Sequence, residues 1–91
     1  MNKLQIRYSN RYKTSRKNLN EKDKELLENV VQKLASAQSL DKKYKDHSLL
    51  GKYKDFRECH IKPNLFLIYR INNKILELFL ADVGSHSDIF G

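Results

Sequence analysis

The sequence predicts a single α+β domain over residues 1–91, an antiparallel sheet with helices on one face. Three observations favour this class. A chain of 91 residues has the size of one domain with a modest core. One segment in the first half has the apolar spacing of an amphipathic helix, and the second half has apolar runs of strand length separated by turn residues. The expected order of elements is β-α-α-β-β-β.

The N-terminal half supplies the first strand and both predicted helices. Leu4–Tyr8 alternates apolar and polar residues, which is typical of a short strand. Ser9 suits the N-cap of a polar helix that ends near Lys17, and Asn20 suits the N-cap of a longer helix. The apolar residues of the longer helix fall on one stripe: Leu26, Leu27, Val30, Val31, Leu34 and Ala35. We expect that stripe to pack on the sheet.

The C-terminal half supplies the other three strands, which we expect at residues 53–61, 65–71 and 75–83. The polar segment before them, residues 38–51, predicts a loop. Pro63-Asn64 and Asn72-Asn73 predict the two turns between strands, because proline fixes φ and asparagine tolerates positive φ. The long apolar run of the middle strand predicts that it lies at the centre of the sheet.

The chain is strongly basic, with a net charge of +7 and a pI near 9.6. Such a charge indicates an anionic partner, such as a nucleic acid or an acidic protein. The single cysteine, Cys59, leaves no pair for a disulfide, which fits a reducing cytoplasm. The N-terminus lacks the apolar core of a secretory signal, and the apolar runs are too short for a membrane helix. We expect a soluble cytoplasmic protein that binds no membrane.

The three histidines lie in two short segments that are the most informative part of the sequence. Tyr44–Pro63 contains His47 and His60 among lysines and aromatic residues, and the tail contains His86. Histidine is the side chain that exchanges a proton most readily near neutral pH. Imidazoles surrounded by cations therefore predict chemistry on a phosphate group.

Glu58 and His60 are two residues apart on a predicted strand, so both should project from one face of the sheet. A carboxylate beside an imidazole can divide general-acid and general-base work, although such a pair alone is more often an ordinary ion pair. His47 is expected in a loop above that face. His86 follows Gly84-Ser85, a flexible joint that could aim it over the sheet, and Phe90 could stack on a base.

Other chemistries find less support, and we expect neither a metal nor a cofactor. The histidines lack zinc-binding spacing, there are only three glycines and no phosphate loop, and Cys59 is expected to be buried. RNA carries its own nucleophile, the 2′-hydroxyl, so an enzyme need supply only proton transfer and charge stabilisation. The expected contacts with RNA are Lys45, Lys52, Lys54, Arg57, Lys62, Asn64 and Arg70.

The segments KDHSLLGKYKDFRECHIKP and GSHSDIFG resemble the YafQ branch of the RelE-type toxins of bacterial type II toxin–antitoxin systems. The resemblance implies a RelE-like microbial ribonuclease fold and cleavage of mRNA in the A site of the 70S ribosome. It implies that His47, Glu58, His60, His86 and Phe90 match the catalytic residues of that family. It further implies a cognate antitoxin, acidic where it covers the site, through which the complex binds operator DNA.

Two positions depart from the pattern of that family. Asn64 stands where relatives usually have an aspartate, and Asp82 stands where they usually have an arginine. The second change replaces a phosphate-binding cation with an anion. The alternative to an active endoribonuclease is therefore a degenerate toxin that binds RNA or antitoxin with little turnover. A basic protein-interaction domain with incidental histidines is a third hypothesis.

Overall fold

A computed structural model describes residues 3–91 and shows one five-stranded sheet with helices on both faces. The strands are β1 (Gln5–Tyr8), β2 (His47–Ser48), β3 (Arg57–Lys62), β4 (Leu65–Asn72) and β5 (Glu77–Gly84). The helices are α1 (Asn10–Lys17), α2 (Glu21–Ala35) and α3 (His86–Phe90), and single 3-10 turns occur at Lys42–Tyr44 and Gly51–Tyr53. The strand order across the sheet is β1-β5-β4-β3-β2.

The predicted α+β class is confirmed, and two details of the architecture differ from the expectation. The strands from β2 to β5 pair antiparallel, but β1 is parallel to β5, with Gln5 opposite Glu77. A strand that is separated from its neighbour by helices is not held to the antiparallel direction that a hairpin imposes. The second difference is α3, which lies on the face of the sheet opposite α1 and α2. The prediction that the helices lie on one face therefore holds only for α1 and α2.

The two predicted helix starts are confirmed by their capping bonds. The side-chain oxygen of Ser9 accepts a hydrogen bond from the backbone N–H of Tyr12 at 2.9 Å. The side-chain oxygen of Asn20 accepts one from the N–H of Asp23 at 2.8 Å. Each bond satisfies a donor that the first helical turn leaves without a partner, which fixes where the helix begins.

The side chains of β4 alternate between two hydrophobic clusters, one on each face of the sheet. Leu65, Leu67 and Tyr69 belong to the larger cluster, which packs against the apolar stripe of α2 and Tyr12 of α1. Phe66 and Ile68 face the other way and pack against Ile89 of α3. Because both faces are covered, β4 is apolar nearly throughout, as its sequence predicted.

The second half of the chain differs from the prediction mainly at its boundaries. The expected strand at 53–61 begins only at Arg57, because Gly51–Tyr53 forms a 3-10 turn. The loop expected at 38–51 contains the short edge strand β2. The turn between β4 and β5 is longer than two residues and ends at Leu76, whose φ is +51°. Among residues 3–91, no helix has the length and apolar character that crossing a bilayer requires.

Replacement of Leu67 by alanine should lower the free energy of unfolding by about 2–5 kcal/mol, because the side chain is fully buried in the central strand. Leu50→Ala is the matched control, since Leu50 is 87% exposed. Urea denaturation followed by circular dichroism measures both. Equal losses for the two variants would contradict the assignment of the core.

Candidate active site

The strands β2 and β3 bring one carboxylate and two imidazoles together on the α3 face of the sheet. His47 of β2 lies directly opposite Glu58 of β3, and His60 follows Glu58 by two residues on the same face. Across the next strand pair, Glu58 faces Ile68 and His60 faces Phe66. The predicted shared face of Glu58 and His60 is thus seen in the structure. The loop position expected for His47 was wrong, because this residue is hydrogen-bonded into the sheet.

Glu58 is the centre of the site, and its side chain is only 3% exposed. Its Oε1 lies 3.4 Å from Nε2 of His47 and 3.9 Å from Nε2 of His60. Its Oε2 accepts a hydrogen bond from Nε2 of His86 at 2.9 Å. All three histidines of the chain therefore surround a single buried carboxylate. We call Glu58 and these three imidazoles the histidine cluster.

His86 is held over the sheet by a short helix rather than by a flexible tail, which corrects the sequence-based expectation. Ser85 and Asp88 form a reciprocal capping box that starts α3. A Cβ at position 84 would lie 3.1 Å from Cβ of Asp88, so glycine lets α3 turn closely over the end of β5. The imidazole of His86 stacks on Phe66 with ring centres 3.9 Å apart. The ring is thereby fixed while its side chain stays 56% exposed.

Aromatic rings continue the exposed face of the site beyond His86. Phe90, one turn further along α3, is 43% exposed and lies 5.5 Å from the His86 ring and 5.3 Å from the Tyr53 ring. Lys52 lies over the face of Tyr53 at 5.3 Å. An exposed aromatic ring beside cations is a surface on which an unpaired base can stack.

The environment of His60 lowers its pKa below the usual value. The main cause is burial, which disfavours the charged imidazolium, and the positive charges of Lys45, His47 and His86 act in the same direction. Glu58 opposes the shift. His60 is therefore mainly neutral near pH 7, and a neutral imidazole can accept a proton.

The backbone fixes the orientation of the His47 ring. Nδ1 of His47 lies 2.7 Å from the carbonyl oxygen of Lys45. A carbonyl only accepts hydrogen bonds, so Nδ1 carries the proton and Nε2 is the atom that faces Glu58. Lys45 adopts a left-handed conformation with φ of +48°, which turns this carbonyl toward the ring.

The structure distributes the predicted RNA contacts unevenly around the cluster. Lys45 and Lys62 line a cavity that His60 also lines, and Asn64 is exposed in the turn after β3. Lys52 and the exposed Lys54 belong to the Gly51–Tyr53 turn and its C-cap. Arg70 lies over the rings of Phe56 and Phe79 at 5.0 and 5.3 Å, away from the histidines.

Arg57 is not brought to the histidine cluster. It follows the opposite parity from Glu58 on β3, and its Nε donates to Oδ1 of Asp46 at 3.1 Å. Its Nη1 donates to the hydroxyl of Ser48 at 2.8 Å, and the hydroxyl of Tyr69 donates to the same Asp46 oxygen. Arg57 thus anchors the segment before β2. The sequence carries no sign of this role, because Asp46 lies eleven residues away along the chain.

Asp82, the anion expected from the sequence to weaken phosphate binding, is buried, and both of its carboxylate oxygens are engaged. Its Oδ2 lies 2.8 Å from Nε of Arg11, and its Oδ1 accepts from the hydroxyl of Ser15 at 3.0 Å. The same Arg11 donates through Nη2 to the carbonyl oxygens of Asp88 and Ile89. The ion pair therefore ties α1 to β5 and to the end of α3. Sequence analysis missed Arg11 because its partners are about 70 residues away.

The cluster also has the composition of a cation site. One ligand atom each from His47, Glu58 and His60 lie within 4.8 Å of one another, a set of nitrogen and oxygen donors that suits Zn²⁺ or Cu²⁺. The sequence had indicated no metal, because the spacing along the chain lacks a motif. A cation there would use the imidazole lone pairs that proton transfer requires. Cys59 contributes to neither chemistry, since burial raises the pKa of its thiol to about 12.

Comparison with known proteins gives the class of this one. A family model described as a bacterial toxin of type II toxin–antitoxin systems, YafQ, matches residues 4–91. This match places the chain in the class of type II toxins. The chain belongs to the YafQ family of these toxins. The resemblance seen in the two histidine-containing segments is confirmed.

Individual relatives agree with the family assignment. The mRNA interferase toxin YafQ of Escherichia coli K12 is 40% identical over 48 residues. These residues make up 53% of this chain and 50% of that protein, so the chain matches about half the length of this curated relative. A metal-bound toxin from Helicobacter pylori is 43% identical, with a TM-score of 0.81 over 96% of this chain and 99% of that one. YafQ in the E. coli DinJ–YafQ toxin–antitoxin complex is 29% identical, with a TM-score of 0.84 over 98% and 99%.

Replacement of Lys45 by glutamine should raise the pKa of His60, because it removes a positive charge that opposes protonation of the ring. The sign follows from the charge alone: without Lys45 the imidazolium is less disfavoured. NMR titration of the histidine Cε1–H signals measures the shift. Lys74→Gln, on the exposed turn between β4 and β5, is the control that should leave the His60 titration unchanged. A downward shift in Lys45→Gln would contradict the electrostatic account.

Proposed function

We propose that this chain is an mRNA interferase, a metal-independent endoribonuclease that cleaves mRNA in the ribosomal A site. The single observation that carries the proposal is the buried carboxylate of Glu58 in contact with three imidazoles on one exposed face. Proton donors and acceptors are arranged there with no need for a cofactor. The names of the E. coli relatives support the same activity.

The proposed reaction is an internal transesterification of RNA. His60, neutral near pH 7, accepts the proton of the 2′-hydroxyl, and the 2′-oxygen attacks the adjacent phosphorus. The bond between phosphorus and the 5′-oxygen breaks, and that oxygen takes a proton from His86. The products are a 2′,3′-cyclic phosphate and a 5′-hydroxyl end. Atoms and charge balance without an added reagent, and DNA, which lacks the nucleophile, is not cleaved.

Glu58 and His47 support these two proton transfers in our proposal. Glu58 is too deeply buried to meet the substrate, so its role is to orient His86 and to compensate the positive charge that develops on the imidazoles. His47 and Lys45 face the growing charge of the phosphate from the strand edge. Phe90 supplies the stacking surface for a base next to the cleaved bond.

The partners follow from charge and from the family. With a net charge of +7, the toxin suits the phosphates of mRNA and of the 70S ribosome, and an antitoxin that presents acidic side chains to the cluster would block them. The DinJ–YafQ complex is a precedent in the same family for capture by an antitoxin. We propose that the complex binds operator DNA through the antitoxin, and that the free toxin acts in the cytoplasm, where ribosomes lie.

A degenerate toxin with little turnover is the second candidate, and the anionic side chain at position 82 is the observation that favours it. In that hypothesis, a cation at this position is needed near the phosphate. The geometry supports another role, because Asp82 is already paired with Arg11 and accepts a hydrogen bond from Ser15. An anion beside a cation produces a much smaller net field at a distant phosphate than an unpaired anion does.

His60→Ala and His86→Ala should each lower cleavage by about 10²–10⁴-fold, the usual contribution of a general acid or base. The assay is primer extension on a reporter message translated by purified ribosomes, with a message carrying a 2′-deoxy nucleotide at the mapped site as the chemical control. Lys74→Ala is the charge and folding control. New 5′ ends at the wild-type rate in either histidine variant would refute the assigned roles.

Asp82→Arg separates the two candidates. In an active toxin the variant places two guanidinium groups side by side, so stability should fall by about 1–3 kcal/mol, less than a fully buried pair would lose because Arg11 is 63% exposed. Cleavage should not increase. Asp55→Arg, a charge reversal at an exposed position, is the control for net charge. A sharp gain of cleavage from an inactive wild type would instead establish the degenerate toxin.

A further inference from the structure

A cavity of about 520 Å³ opens beside the histidine cluster, between α2, the Lys42–Tyr44 turn and the turn that joins β3 to β4. Its apolar wall includes Leu26, Ile61 and Pro63, and it is also lined by His60, the residue that it shares with the cluster. We call it the His60 groove. Cavities of this size and mixed character are the usual sites for small ligands of nucleotide size.

The rim of the His60 groove is basic. Lys43, Lys45 and Lys62 line it. Lys62 pairs with Asp23 at 2.8 Å, whereas within residues 3–91 no carboxylate forms an ion pair with Lys43 or Lys45. Two cations thus remain available to an incoming anion. An apolar wall beneath cations matches a nucleotide, which presents a flat base and a phosphate.

Lys45 contacts both the groove and the cluster. Its side chain lines the groove, while its carbonyl oxygen accepts the hydrogen bond from Nδ1 of His47. The left-handed backbone at Lys45 makes both contacts possible and carries a conformational cost, since such a φ disfavours a side chain larger than glycine. Strain of this kind is concentrated at functional sites. A ligand in the groove would therefore contact the residue whose carbonyl oxygen orients the His47 ring.

We propose that the His60 groove binds the nucleotide on the 5′ side of the cleaved bond, the one that supplies the attacking 2′-hydroxyl. This inference rests on the proposed function and adds the direction of the RNA strand. His60 is the residue shared by groove and cluster, and the base that accepts the 2′-hydroxyl proton must stand next to that ribose. Lys43 then holds a phosphate of the 5′ strand.

The test compares two mononucleotides by NMR on the intact protein. Adenosine 3′-monophosphate imitates the 5′-side nucleotide with the reacting phosphate, and adenosine 5′-monophosphate imitates the 3′-side nucleotide. At millimolar concentration, the first should shift the amide signals of Lys43–Lys45 and Ile61 together with the His60 ring. The second should shift the histidine rings and leave the groove amides unchanged. Inorganic phosphate is the control for a bare anion.

Variants of the groove test the same point with RNA. Lys43→Ala should weaken binding of a single-stranded oligonucleotide several-fold at low salt, and the slope of log K against log salt should fall by about 0.7 for the lost contact. Lys74→Ala, an exposed lysine on the far turn, should change neither the affinity nor the slope beyond the effect of net charge. Lys43 lies outside the proton-transfer residues, so folding and the His60 titration should be retained.

Several results would overturn the inference. Groove signals that respond equally to both nucleotides or to phosphate alone would show an unspecific anion site, and shifts confined to the histidines would show that the groove is not used. If Lys43→Ala leaves RNA affinity intact but weakens binding of the purified antitoxin, the groove is a protein-docking surface. If the wild-type protein cleaves RNA but binds no nucleotide in the groove, the inference about the groove is refuted and the proposed activity stands. If nucleotides bind in the groove but RNA is not cleaved, the proposed endoribonuclease activity is refuted and the groove remains a nucleotide-binding site.

Discussion

The site depends on one electrostatic constraint, the burial of the Glu58 carboxylate. Removing an anion from water costs several kcal/mol unless charges and hydrogen bonds compensate it. Here the hydrogen bond from His86 at 2.9 Å provides the closest compensation, and the rings of His47 and His60 lie at 3.4 and 3.9 Å. The carboxylate and the histidines therefore hold one another in place. The interaction that offsets the burial of this carboxylate also fixes the position of the His86 ring.

The helix α3 places His86 beside Glu58, and contacts from α1 stabilise α3. α3 has only five residues, too few to be stable alone, so its position must come from contacts with the rest of the chain. Ile89 packs on Phe66 and Ile68 of β4, and Arg11 binds the carbonyl oxygens at the end of the helix. Asp82 in turn fixes Arg11. Asp82 is thus part of the support for His86.

The fold class and the centre of the site could be predicted because they follow local rules. The period of two on β3 placed Glu58 and His60 on one face, and the apolar run of β4 indicated a central strand. β2 could not be predicted, since two residues have no periodicity and their pairing is set by β3. The Ser85 to Asp88 spacing was a capping signal, but the nearby glycine favoured a flexible tail. The Arg11–Asp82 pair has no local signal at all.

The parallel pairing of β1 with β5 determines when the sheet can form during synthesis of the chain. Gln5 pairs with Glu77, so β1 cannot take its place in the sheet until β5 has been synthesised. His86 and Phe90 are later still, because they lie on the final helix. A nascent chain therefore has the strand carrying Glu58 and His60 before it has the helix that completes the cluster.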